Sequence, residues 1–428
     1  MATIELGRAK RLKGEITPPP DKSISHRAVI LSSISGGRSV IRNFLVAGDT
    51  MSTLNAMAAL GVGIKQGKEI IIEGAGLHGL KEPLSPIDCG NSGTTMRLLS
   101  GILSGNPFFS VLTGDESLSL RPMARVITPL RQMGSNIISR GGDRYPPIAI
   151  KGGGLKAVRY KMPVASAQVK SAILLAGLYA EGSTEVIEPV KSRDHTERML
   201  PFYGADVRVD GLNTRVTGGV ELKGGRCDVP ADFSSAAFFI VAGLIVEGSE
   251  ILIKKVGLNP TRTGLLDALK RMGASIKIEK NPREVSGEPV GDLYCKASQG
   301  LHGIKITGET IPSLIDEFPI LCIAAACADG VTTIKGAEEL RVKESDRIKA
   351  MADGLRKMGV EVKELSDGLS IKGGPLKGAS IDSRGDHRIA MAFSIAGLCA
   401  SGKTIIKGAE AVDISFPGFY EMLKGLRR

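Results

Sequence analysis

Apolar positions along the chain follow two alternating rhythms. Segments such as LNAMAALGVGI, PLRQMGSNI, MLPFYGADVRV, LLDALKRMGASIKI and MADGLRKMGVEV hold helical spacing up to a glycine and then continue as β-rich stretches. Gly61, Gly134, Gly204, Gly273 and Gly359 mark the register, roughly 70 to 85 residues apart, and the closing FYEMLKGLRR is a sixth copy that ends before its strand. Ahead of each copy stands a more apolar helix that ends in a small-residue turn and runs into a strand, as in ILLAGLYAEGSTEVIE, FFIVAGLIVEGSEILI and AFSIAGLCASGKTIIK. The pattern predicts an α/β protein of six units, each helix, strand, helix, strand, with three units in each of two similar domains. A glycine at the helix end supplies a left-handed cap, and β-branched residues take over after it.

The first helix of each unit opens on polar residues: DKSISHRA, GNSGTTMR, ASAQVKSA, ADFSSAAF, IDEFPILC and GDHRIAMA. Ser, Thr, Asn and Asp belong there as caps. If these helices run parallel within a domain, their free NH groups and positive dipole ends face a common region and draw anions to it. The proline-bearing stretches at 17–21 (TPPPD) and 227–232 (CDVPAD) are expected to be crossover strands. They divide the chain into one domain of residues 21–227 and a discontinuous one of residues 1–17 plus 230–428, with hinges near 18–21 and 227–231.

A length of 428 residues exceeds what one core usually supports and agrees with two domains. The formal charge of +11 suits nucleic acid, an anionic membrane surface or acidic metabolites. Lys and Arg are spread along the chain and Trp is absent, which argues against nucleic acid. The N-terminus has no apolar signal region, and the run SAAFFIVAGLIV falls short of a membrane span, so no membrane partner is expected. The six cysteines form no CxxC pair or His/Cys cluster, so neither zinc nor disulfides are expected, and reduced thiols fit the cytoplasm. The stretch GLCASGKT, residues 397–404, satisfies a phosphate-loop pattern but leaves a helix and enters a strand, the reverse of the order that motif requires.

Several motifs carry candidate chemistry. DKSISHRA sets Lys22, Ser23 and Arg27 at a helix start, where backbone NH groups, a hydroxyl and cations together hold phosphate; an ordinary capped helix is the plain alternative. GNSGTTMR offers Asn91, Gly93, Thr94 and Arg97, the glycine permitting close backbone approach to a ligand. Pro122 rigidifies the chain after Arg121. Ser166 and Gln168 open one helix, while Ser192 and Arg193 precede another, and all have a second reading as caps. Asp316 and Glu317 abut an apolar helix, where an ionised Asp could accept a hydroxyl proton or merely cap. LRVKESDRI places Lys343, Glu344 and Arg347 within one helical turn, as an active cluster or a solvated salt-bridged face. His387 and Arg388 open the sixth apolar helix.

Taken in order, DKSISHRA, GNSGTTMR, LSLRPM, SAQVKSA, LRVKESDR and GDHRIAM resemble the 5-enolpyruvylshikimate-3-phosphate synthase family over nearly the whole chain. The resemblance implies an inside-out α/β barrel in each domain, helices inside and sheets outside, closing on its ligands. It implies transfer of the enolpyruvyl group of phosphoenolpyruvate to the 5-hydroxyl of shikimate 3-phosphate, the sixth step of the pathway to chorismate and aromatic amino acids, without metal or cofactor; a two-domain monomer is the default expectation. Shikimate 3-phosphate would contact Lys22, Ser23, Arg27, Ser166, Gln168, Arg193, Asp316 and Lys343. Phosphoenolpyruvate would contact Lys22, Asn91, Gly93, Arg121, Gln168, Arg347 and Arg388. Asp316, Glu344 and Lys22 would move the protons. The inhibitor glyphosate is an implied ligand; SRDHTE is similar to the family's class that is often less sensitive to it, while the unsubstituted Gly93 puts tolerance in doubt. DISFPGF departs from the family in carrying Ile414 and Ser415 where a Lys is frequent, so one phosphate contact is expected to be lost. UDP-N-acetylglucosamine enolpyruvyl transferase is the nearest rival, but its usual Cys is missing from LTGDESLSLRPM, and KSISHRA replaces its Lys-Asn start. A repeat scaffold binding anionic polymers is the rival from another class.

Overall fold

The computed structural model describes residues 2–280, 284–298 and 300–428. The chain separates into two compact units: Pro20–Pro230 with Glu284–Glu288, and Met1–Pro19 with Ala231–Arg283 and Pro289–Arg428. They are called here the 20–230 unit and the 231–428 unit.

In the 20–230 unit three sheets share one topology. Ile87–Asp88 runs parallel to Phe109–Thr113, which pairs antiparallel with Tyr145–Lys151, itself paired with the edge strand Asn136–Ser139. The order Arg159–Lys161, Ser183–Ile187, Asn213–Thr217, Val207–Asp210 repeats it. In the remaining sheet the parallel strand is Arg226–Asp228, from the far end of the unit, laid beside Gly36–Arg42. Each repeat therefore holds four strands where the apolar pattern predicts two. Parallel strands of two or three residues are too short to show an alternation, which is why the sequence pattern passes over them.

The 231–428 unit repeats this plan with N-terminal strands filling its gaps. Lys13–Ile16 lies parallel to Glu250–Gly257. Thr3–Leu6 pairs antiparallel with Thr404–Lys407, in the place of the strand that the sixth copy lacks. The sixth sheet holds three strands, in the order Thr3–Leu6, Thr404–Lys407, Ser380–Asp382, one fewer than each of the others.

The more apolar helix of each repeat is buried almost all round. Every residue of Phe318–Ala326 and of His387–Gly397 is buried, as is all of Phe233–Ile245 except Ile245. A helix apolar on every face belongs in a core. Strands such as Phe109–Thr113 alternate buried and more accessible positions and so cover the helices with one face. Close packing of the inner helices depends on small residues: a Cβ on Gly101 would lie 2.2 Å from the Ala172 carbonyl oxygen of the neighbouring helix. Buried serines satisfy themselves on the preceding turn, Ser100 Oγ donating to Met96 O at 2.8 Å and Ser394 Oγ to Ala390 O at 2.7 Å. The second helices are amphipathic; Gly264–Arg271 buries Leu265, Leu266 and Leu269 and exposes Asp267 and Lys270. The five register glycines have φ of 85°, 99°, 91°, 91° and 83°, the left-handed region in which a β-carbon is strained.

Two local expectations can be read directly. Helix His387–Gly397 precedes strand Thr404–Lys407, so GLCASGKT is a helix-to-strand turn. LRVKESDRI is not one helical turn: a 3-10 turn over Glu338–Val342 ends at Lys343, and a new helix, Arg347–Lys357, starts after Asp346, whose side chain caps Lys349 N at 2.9 Å. Asp346 takes a backbone NH of the following turn and so starts a new helix there, while the Ser345 hydroxyl donates to Asp386 Oδ2 at 3.0 Å. All six cysteines are free thiols, and no helix among the described residues is long and apolar enough to cross a membrane.

Candidate active site

In the 20–230 unit the first turns of the three inner helices are joined by side chains. Asp21 caps Lys22–Ser33, Ser92 caps Gly93–Ser104 and Ser166 caps Ala167–Gly177. Arg27 Nη2 donates to Ser171 Oγ at 2.8 Å, Arg97 Nη1 to Gln168 Oε1 at 2.5 Å, and Gln168 Nε2 to Thr94 Oγ1 at 2.8 Å. A buried string from His26 through Thr53 to Thr95 links the first two helices, with both contacts at 2.6 Å. Three helix N-termini thus meet at one end of the unit, where their dipoles reinforce one another toward an anion.

The cations at that end are held at fixed points. Lys22 Nζ is 3.1 Å from Asp49 Oδ2, and Arg121 Nη2 donates to Asn91 Oδ1 at 2.6 Å. Asn91 in turn donates to Asp115 at 2.7 Å. Arg27 is buried and donates to Thr196 Oγ1 at 2.7 Å and Ser23 O at 3.0 Å. Burial pulls its pKa down to about 10 against the opposing pull of Glu197, Asp21 and Glu288. A β-carbon on Gly93 would fall 2.8 Å from Arg97 Nη1 and 3.6 Å from Arg121 Nη1, so this backbone abuts two guanidinium groups. Arg193 lies in the turn before helix His195–Phe202, half-buried, while the neighbouring Ser192 hydroxyl is taken by Glu188.

In the 231–428 unit the inner helices meet in the same way. Asp232 caps Phe233–Ile245, and Asp386 caps His387–Gly397. Ser234 Oγ donates to Glu317 Oε1 and accepts from Arg262 Nη2 at 2.6 Å. Arg388 Nη1 donates to the Asp316 carbonyl at 2.8 Å. Glu317, at the cap position of helix Phe318–Ala326, makes no side-chain cap to it, and the helix has a proline in its first turn instead. The Asp316 carboxylate lies 3.6 Å from both Arg347 Nη1 and Arg388 Nη2.

Arg347 is the centre of this group. It is buried, with Nε on Asp386 Oδ2 at 2.8 Å and Nη2 on Glu344 Oε2 at 2.6 Å. Burial alone would lower its pKa, but Asp386, Glu344 and Asp316 outweigh that and hold it above the ordinary value. Burial pushes the Lys343 ammonium below the usual lysine range, with Asp316, Glu339 and Glu344 opposing. The structure thus brings Asp316, Lys343, Glu344, Arg347 and Arg388 together in one unit. It brings Lys22, Ser23, Arg27, Asn91, Gly93, Arg121, Ser166 and Gln168 together at the helix starts of the other. The motif reading missed Asp49, Lys170, Arg262 and the orienting role of Asp386. Asp386 stood inside GDHRIAM, but only its capping position was visible there. Ile414 ends a 3-10 turn over Ala409–Ile414, followed by Ser415.

Helix-cored repeats with arginines, lysines and carboxylates collected at their helix N-termini define an enzyme class that works on small anionic substrates. The family model for EPSP synthase (3-phosphoshikimate 1-carboxyvinyltransferase) matches residues 7–423. The 3-phosphoshikimate 1-carboxyvinyltransferase of Thermodesulfovibrio yellowstonii is 58% identical over 426 residues, covering 98% of this chain and 99% of that one. The enzyme of that name from Geotalea uraniireducens is 54% identical, with 99% of each chain covered. An EPSP synthase structure from Acinetobacter baumannii superposes with a TM-score of 0.89 at 49% identity, covering 99% of this chain and 98% of that one. The chain belongs to the EPSP synthase family. The sister enolpyruvyl transferase and the polymer-binding scaffold are set aside with that.

Proposed function

We propose that in this chain's transfer of the enolpyruvyl group of phosphoenolpyruvate to shikimate 3-phosphate Asp316 is the base for the 5-hydroxyl and Glu344, aided by Lys22, is the acid for the methylene carbon. The observation that supports this most directly is Asp316 standing 3.6 Å from Arg347 and from Arg388, with Glu344 on another nitrogen of Arg347. Two carboxylates share one set of cations. When the phosphate and carboxylate of phosphoenolpyruvate neutralise those arginines, Asp316 is released from them and becomes a stronger proton acceptor. Addition of the hydroxyl oxygen to the enol carbon gives a tetrahedral intermediate. Phosphate then leaves with the proton held by Asp316, and a proton returns from the methyl carbon to Glu344, which restores both carboxylates.

In the same reading Lys22, Ser23, Arg27, Ser166, Gln168, Arg193, Asp316 and Lys343 hold shikimate 3-phosphate. Lys22, Asn91, Gly93, Arg121, Gln168, Arg347 and Arg388 hold phosphoenolpyruvate. Fixed guanidinium groups stabilise the charge that develops on phosphate without reorganising during the reaction. The protein works as a cytoplasmic monomer, apart from membrane and nucleic acid, and takes glyphosate in the place of phosphoenolpyruvate.

Phosphate release from purified protein, shikimate 3-phosphate and phosphoenolpyruvate in the presence of chelator tests the reading. Release that needs both substrates supports it. Turnover of UDP-N-acetylglucosamine instead, or silence with both acceptors, overturns it.

A further inference from the structure

Three buried charges lie beside the residues assigned above. Lys170, in the first turn of helix Ala167–Gly177, is fully buried, and its Nζ sits 2.7 Å from Glu188 Oε2 and 2.6 Å from Glu197 Oε1. Both glutamates are buried as well. A lysine taken out of water persists as a cation only if its charge is compensated, and here one carboxylate from each end of the 188–197 connection does so. Burial raises the Glu197 carboxyl above its usual range, while Lys170 opposes the rise; Lys191 adds a second cation at 3.7 Å.

The connection gripped in this way is the one that carries Ser192 and Arg193. Lys170 Nζ also reaches Ser192 O at 3.4 Å, and Glu188 accepts from Ser192 N at 3.1 Å and from its hydroxyl. A few residues on, Thr196 Oγ1 meets Ser171 Oγ at 2.7 Å and accepts from Arg27 Nε at 2.7 Å. Lys170 shares its helix turn with Ser166 and Gln168. It therefore fixes the segment bearing Arg193 against the helix start bearing Ser166 and Gln168.

We propose that Lys170 is a positioning residue for shikimate 3-phosphate, acting through Glu188 and Ser192 on the placement of Arg193. The proposal rests on the reading that Arg193 contacts that substrate. Lys170 itself is fully buried; the ion cluster sets the loop, and the loop sets the guanidinium. Misplacing a binding group by about 1 Å costs on the order of 100-fold in the step it serves.

Lys170→Met alone leaves two buried carboxylates with only the more distant Lys191 to offset them, so lost folding would obscure its effect on binding. The deciding protein is the triple variant Lys170→Met, Glu188→Gln, Glu197→Gln, which has none of these charges to bury. The expected result is a melting temperature near that of the native protein, a KM for shikimate 3-phosphate raised roughly 10- to 100-fold, and a KM for phosphoenolpyruvate and kcat within about twofold. Adding Arg193→Ala to it should raise the KM no further, since two changes acting on one contact are not additive. A native KM for shikimate 3-phosphate in the triple variant, or equal rises in both KM values, overturns the proposal. Arg193→Ala by itself separates the two claims. If it leaves the KM native, the assignment of Arg193 falls and the proposal with it. If it raises the KM while the triple variant does not, only the role of Lys170 falls. Should the triple variant not fold, Glu188→Gln supplies the measurement, with a rise of about threefold to tenfold in the same KM expected and no change overturning the proposal.

Discussion

Arg347 Nε donates to Asp386 Oδ2 at 2.8 Å, across 39 residues of sequence, and the same carboxylate accepts from the backbone NH of Arg388 at 2.9 Å. One buried aspartate thereby fixes a guanidinium from one repeat and caps the helix that presents a second guanidinium from the next. Burial pushes the Asp386 carboxyl up, but Arg347 outweighs it and holds the group below the usual carboxylate range.

Asp386→Ala is therefore expected to strand Arg347 with only part of its charge compensated and to remove a helix cap. Breaking a buried pair from one side costs about 3 to 5 kcal/mol, and the cap adds about 1 kcal/mol. Urea unfolding of the variant checks this; a loss under about 1 kcal/mol would show that Glu344 and Asp316 suffice for Arg347.

Arg388→Ala should cost on the order of 2 to 5 kcal/mol in binding or transition-state energy, read from kcat/KM for phosphoenolpyruvate. Near-normal kinetics would remove Arg388 from the site.

Asp316→Ala should abolish turnover and leave shikimate 3-phosphate binding measurable by calorimetry. Retention of the native rate would exclude Asp316 as the base.

Gly93→Ala places a methyl group 2.8 Å from Arg97 Nη1. The guanidinium must move, and its 2.5 Å bond to Gln168 moves with it. A rise in KM for phosphoenolpyruvate of about tenfold, with stability within about 1 kcal/mol, is expected, because the displaced atom is the end of a flexible side chain. An unchanged KM would separate Gly93 from the substrate.

His26 predicts an acid limb of stability. Its ring is fully buried, and burial lowers its pKa from 6.5 to about 3, with Asp49 pulling the other way and Lys22 and Arg27 adding to the drop. The unfolded chain binds this proton below pH 6.5, whereas the folded chain does so only near pH 3. The contribution is thus complete above pH 6.5 and is lost as pH falls toward 3. At pH 5 the loss amounts to about 2 kcal/mol. His26→Gln should flatten the change in urea midpoint between pH 7 and pH 5; an identical slope in both proteins would assign the acid sensitivity to other groups.

The sequence by itself determined what depends on near neighbours. Gly61, Gly134, Gly204, Gly273 and Gly359 reveal helix ends because a left-handed residue is needed there whatever surrounds it. Asp21, Ser92, Asp232 and Asp386 cap helices by bonds to residues two or three positions ahead. Apolar period and cap order were enough to show repeated units and cations at the helix starts, while helices inside and sheets outside followed from the resemblance. The tertiary structure alone decided what depends on distant partners. Thr3–Leu6 fills the sixth repeat from the opposite end of the chain. Glu284–Glu288 belongs to the 20–230 unit, where Glu288 Oε1 meets His195 Nδ1 at 2.7 Å. Lys170 finds Glu188 and Glu197, and Arg347 finds Asp386, through burial and side-chain geometry. A pairing of that kind leaves no period in the sequence, because each partner looks like a surface charge until the fold removes the water around it.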